Sequence, residues 1–109
     1  MRILVVCAAG ASSTFVAQRL RTAAHAEGLA WNAVAGTEGS LGVDVDAVDL
    51  VLIGPHLAHR ADDLAAMAAR HGAALAALPE DVFTDLSGRR TLALVRTTLG
   101  LDAPAKGRP

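Results

Sequence analysis

Cys7 is the single cysteine in 109 residues, and it stands between an apolar run and a string of small residues: Ala8, Ala9, Gly10, Ala11, Ser12, Ser13 and Thr14. Thiolate is the nucleophilic form of cysteine, and a loop of Gly, Ala and Ser can turn several backbone N–H groups toward one point. With the positive end of a following helix behind it, such a loop is a cradle for a tetrahedral anion, and it would keep a thiol at its mouth ionised without a side-chain cation. The chemistry implied is capture of a phosphoryl group on Cys7, with amides from about Ala9 to Thr14 stabilising the charge. A second candidate segment, Gly54-Pro55-His56, ends another apolar run. His56 reads either as a donor to a phosphoryl oxygen on Cys7 or as a surface residue opening a helix. His56 and His59 have i, i+3 spacing but no third ligand accompanies them, so neither a metal nor a cofactor is expected.

These residues need elements to position them. Ile3 to Val6 has no polar alternation, which suits a strand buried on both faces, and Val48 to Ile53 repeats the pattern. Helical spacing runs from Thr14 to about Glu27 through Val16, Leu20, Ala23 and Ala24, with Gly28 as the stop. On this helix Arg19 and Arg21 read as a solvated face, and His25 complements the dipole at its end. Weak alternation over Leu29 to Ala35 suggests an edge strand. The span 36–46 is rich in Gly and acid and reads as a loop with at most a short, irregular helix. Asp44, Asp46 and Asp49 lack the Gly and terminal Glu of a calcium loop, so a solvated acidic turn is the better account. After Pro55 a helix is expected over Leu57 to Arg70, with Leu57, Leu64, Ala68 and His71 on one face and Gly72 as its end. Ala73 to Leu78 makes a fourth strand stopped by Pro79, and Ser87 to Leu99 a last helix with Leu92, Val95 and Leu99 inward. Residues 101–109, with two prolines, are expected to be a flexible tail after a domain spanning 1–100.

Strands alternating with helices imply an α/β fold: a four-stranded parallel sheet in the order 2-1-3-4, with helices on both faces in a three-layer, doubly wound arrangement. That order sets the first and third strands side by side at the centre. A crevice opens at their carboxyl ends, where open parallel sheets bind ligands, and both Cys7 and Gly54-Pro55-His56 belong there. A lone cysteine is otherwise a small core residue, and this position is what argues for chemistry.

The totals exclude other functions. Ten basic against eleven acidic residues, 3% aromatics and no Tyr leave neither the charge nor the stacking surface for nucleic acid. No apolar stretch approaches the ~18 residues of a membrane span, so no direct membrane insertion is expected. One cysteine forbids an internal disulfide and fits a reducing, cytoplasmic setting. Neither a dinucleotide fingerprint nor a G-x-x-x-x-G-K-[ST] motif occurs.

A cysteine at a strand-to-loop junction is similar to that of low-molecular-weight tyrosine phosphatases and the related arsenate reductases, which carry an arginine six residues later. Here that position is Ser13, so the main charge stabiliser for hydrolysis is missing, and a redox role lacks a resolving cysteine. The segment Cys7-Ala8-Ala9-Gly10-Ala11-Ser12-Ser13-Thr14 instead resembles the cysteine loop of the lactose/cellobiose-type enzyme IIB of the bacterial sugar phosphotransferase system. Asp49-Leu50-Val51-Leu52-Ile53-Gly54-Pro55-His56 resembles that family's second signature, although Ala11 and His56 stand where Met and Gln are usual. The resemblance implies that Cys7 accepts a phosphoryl group from a phosphohistidine on a IIA phosphocarrier protein and passes it to a sugar bound by the membrane-embedded IIC transporter. Between such exchanges the free protein is expected to be a monomer. A regulatory or interaction module that keeps the fold without passing phosphate to sugar is equally compatible with these residues.

Overall fold

A computed structural model describes residues 1–7 and 10–100 of the chain. The elements run β1 (Arg2–Cys7), α1 (Gly10–Ala26), β2 (Asn32–Thr37), α2 (Leu41–Asp44), β3 (Leu50–Ile53), α3 (Ala61–Arg70), β4 (Ala74–Ala77) and α4 (Arg89–Leu99). Short 3₁₀ turns fill Val45–Ala47, Pro55–Arg60 and Val82–Thr84. The strands form one parallel sheet in the order β2-β1-β3-β4, the order expected from the sequence.

Both central strands are apolar throughout because both of their faces are covered. From β1, Ile3 and Val5 join Leu50 and Leu52 of β3 in a core closed by Val16 and Leu20 of α1 and by Leu92 and Val95 of α4. Leu4, Val6, Val51 and Ile53 point the other way, onto Leu41, Val45, Leu57, Leu64 and Ala68. A strand rotates successive side chains to opposite faces, so one continuous run supplies both cores. The edge strand β2 is covered less completely, with Ala33 buried under α1 and Val34 41% exposed on the opposite face. Arg21, read as solvated, donates from its guanidinium to the Ala33 carbonyl at 2.5 Å and so occupies a backbone acceptor of the edge strand.

Several boundaries differ from the sequence reading. Strand β2 starts at Asn32 and runs to Thr37, later than the expected Leu29–Ala35, because pairing with β1 sets it: Arg2 lies opposite Asn32 and Cys7 opposite Thr37. Leu29 and Trp31 still pack against the core from ahead of the strand. The helix expected from Leu57 begins at Ala61, and the preceding residues form the 3₁₀ turn that starts at Pro55. His71, placed on that helix's inner face by periodicity, is exposed and paired with Asp46. The acidic span does hold only a single helical turn, α2, and a 3₁₀ turn.

Candidate functional site

Cys7 is the last residue of β1 and has no exposed surface. Ile3 to Val6 pair with Leu50 to Ile53, so the next residue of each strand, Cys7 and Gly54, meet at the carboxyl edge of the sheet. The Gly54 N–H donates to the Val6 carbonyl at 2.7 Å, and the Gly54 carbonyl accepts from Leu57 N–H at 3.0 Å. A Cβ built on Gly54 would stand 3.0 Å from Cys7 Sγ and 3.4 Å from both Cα and Cβ of Cys7. The two segments singled out by sequence therefore lie side by side. Pro55 is half-buried and His56 exposed, two residues beyond Gly54 in the 3₁₀ turn.

The small-residue string divides differently from its sequence reading. Ala8 and Ala9 lie outside the described residues, as does the tail 101–109. Gly10, Ala11, Ser12, Ser13 and Thr14 are already in α1, whose expected start at Thr14 moves back to Gly10. Alanine and serine are good residues for a first helical turn, and reading their small size as a loop signal overlooked this. Fewer amides than expected are then left for a cradle. The amides of Gly10, Ala11 and Ser12 in the first turn have no acceptor within the helix and carry its positive pole, whereas the Thr14 amide belongs to the helix's own ladder. Ser13 is fully buried, and its hydroxyl donates to the Gly36 carbonyl at 3.1 Å, tying the start of α1 to the end of β2. Thr14 is exposed.

The electrostatics of the resting thiol also depart from expectation. Burial pushes the Cys7 thiol up from its ordinary value, toward the protonated form, where a depressed value was expected from the cradle. No charged residue occurs in α1 before Arg19. One ion pair is unannounced by any sequence signal: Glu38, just after β2, pairs with Arg60 at the end of the 3₁₀ turn that follows β3. Among the described residues no three His, Cys, Asp or Glu side chains are grouped to hold a metal ion. Asp49 instead accepts the Arg2 N–H at 2.9 Å. A cavity of about 200 Å³ over β2, lined by Arg2, Leu4, Val34 and Asp44 among others, does not include Cys7.

Comparison with known proteins agrees with this fold. Residues 2–83 match the family model described as the PTS system, Lactose/Cellobiose specific IIB subunit. Among solved structures, the lactose-specific IIB component domain of the phosphoenolpyruvate:carbohydrate phosphotransferase system from Streptococcus pneumoniae is similar, with a TM-score of 0.80 over 90% of this chain and 96% of that one. At 20% identity that likeness speaks for the fold alone. The cellobiose-specific phosphotransferase IIB component from Borrelia burgdorferi is 25% identical, with a TM-score of 0.70 over 92% of each chain. No curated protein matches the chain.

Proposed function

The chain belongs to the lactose/cellobiose-specific IIB family of the sugar phosphotransferase system, and on that premise we propose that Cys7 is its phosphoryl carrier, loaded by a IIA phosphohistidine and discharged to a sugar at a membrane IIC transporter. The observation that supports this reading is the position of the only cysteine: the carboxyl end of a central strand, beside Gly54 and just ahead of α1. In the loading step Sγ attacks phosphorus, the S–P bond forms and the P–N bond breaks. The bonding pair stays on the departing imidazole nitrogen, which takes up a proton as the thiol gives one up. A thiol that rests protonated therefore balances the exchange without an added base. In the second step a sugar hydroxyl oxygen attacks phosphorus, the S–P bond breaks, and the sulfur regains the proton that the hydroxyl loses.

Charge on the transferring group falls to the first-turn amides of α1, at a helix N-terminus that favours a phosphoryl anion. Hydrolysis is not favoured, because the position of the phosphatase arginine holds Ser13, a buried residue bonded to Gly36. Among the described residues no helix is long and apolar enough to cross a membrane, which fits a cytoplasmic subunit docking on a separate transporter. The test is a reconstituted phosphoenolpyruvate relay with the cognate IIA protein. One phosphoryl group per chain is expected on the unaltered protein and none on Cys7→Ser. A labelled Cys7→Ser protein would overturn the assignment.

A further inference from the structure

Gly54 adopts φ −65° and ψ 161°, a conformation open to any residue. Its backbone therefore does not call for glycine, and the reason for glycine must lie in space. That space is occupied by the neighbouring thiol: a Cβ on Gly54 would meet Cys7 Sγ at 3.0 Å, tighter than most such contacts, with Cα and Cβ of Cys7 at 3.4 Å. Hydrogen bonds on either side, from its N–H to Val6 and from Leu57 to its carbonyl, fix Gly54 against the end of β1. The sulfur lying in this space is fully shielded from solvent. A phosphorus atom cannot reach a sulfur so enclosed.

We propose that Gly54 is a positioning residue for Cys7: it reserves the space in which the resting thiol is sheltered, and the thiol reacts only after turning out of that space. The proposal rests on Cys7 being the phosphoryl acceptor, and it adds a gate to that role. At rest the sulfur lies against Gly54, protected from oxidants and alkylating agents. Loading requires a change of Cys7 rotamer away from Gly54, so acceptance of phosphate is coupled to whatever draws the sulfur outward, such as the docked donor. A methyl group at position 54 crowds the resting sulfur by a few tenths of an ångström and so favours the outward rotamer.

Iodoacetamide alkylation at one fixed pH tests this without any partner. In the native protein Cys7 is expected to react more slowly than in the same chain unfolded in urea, because the reagent reaches the sulfur only when it turns outward, by about tenfold or more, the fold-change that about 1.4 kcal/mol of shelter makes. Folded Gly54→Ala is expected to recover most of that difference. Equal rates for the native and urea-unfolded protein, or an unchanged rate in folded Gly54→Ala, would overturn the proposal. Stability gives a second reading through the sulfur itself: Gly54→Ala should cost less in a Cys7→Ala background than alone, and if Gly54→Ala does not fold, the double variant should. Absence of that rescue also counts against it. If the unaltered protein takes no phosphoryl group from the relay, the carrier role fails while the alkylation rates still decide the shelter.

Discussion

A buried hydroxyl governs how the start of α1 meets the end of β2. Ser13 has no exposed surface and donates to the Gly36 carbonyl at 3.1 Å. An arginine there would bring a guanidinium into a closed contact, so the difference from a phosphatase is built into packing as well as charge. Ser13→Ala removes the donor and is expected to lower stability by about 1 kcal/mol, the usual net worth of such a bond, measured by urea unfolding. A shift of the midpoint with unchanged slope would mark a lost contact, whereas no shift would show that the bond contributes nothing. Position 7 was legible in the sequence because its signal is local: an apolar run, one cysteine, then small residues. The state of its thiol was not. That state is set by burial that only the assembled sheet creates, with Gly54, just past the end of β3, beside the sulfur.

Among the elements, β1, β3 and α4 have strong local patterns and start and end within two residues of where they were expected, whereas α1 and α3 start four residues away and β2 takes its ends from its neighbour. Strands β1 and β3 carry uninterrupted apolar runs, and α4 buries Leu92 and Val95 with Leu99 against the same core. Strand β2 has only weak alternation of its own, so its register with β1 decides its ends. The approach of α4 to α1 is likewise a long-range matter. Asp85 accepts both the N–H and the hydroxyl of Thr91, at 3.0 and 3.1 Å, and so ties down the first turn of α4. Just ahead of that turn, Gly88 sits at φ +76°, where a Cβ would stand 2.2 Å from the Arg19 carbonyl oxygen. Gly88→Ala therefore combines a left-handed backbone penalty with a clash against backbone that cannot step aside, and the expected loss is about 3 kcal/mol. Gly28 supplies the control, since its φ is +74° but nothing lies within 4 Å of its added Cβ. Gly28→Ala should cost only about 1 kcal/mol, the conformational part alone. Equal losses in thermal or urea unfolding would mean that the α1–α4 contact does not determine the first value.

At the scale of the whole molecule, the doubly covered sheet that makes the fold stable also withdraws its one thiol from water. Apolar runs and strands alternating with helices made the strand order 2-1-3-4 readable, but the depth at which Cys7 lies at the carboxyl edge depends on groups that only the assembled sheet brings together. That depth has a consequence for stability as pH rises. Folding raises the Cys7 pKa above its ordinary value through burial. Between the ordinary value and the raised one, the folded state keeps a proton that the unfolded state has released, so the folded state binds more protons and stability falls with increasing pH. Below the ordinary thiol value of about 8.5 both states are protonated and the group contributes no slope. The unaltered protein is therefore expected to lose thermal stability above about pH 8 more steeply than Cys7→Ser, whose hydroxyl does not titrate there. The difference in slope between the two proteins is the quantity to measure, because every other group is common to both and cancels in the comparison. Parallel curves would mean that the folded protein holds its thiol near the ordinary value, and with it that the sulfur does not rest in the closed position against Gly54.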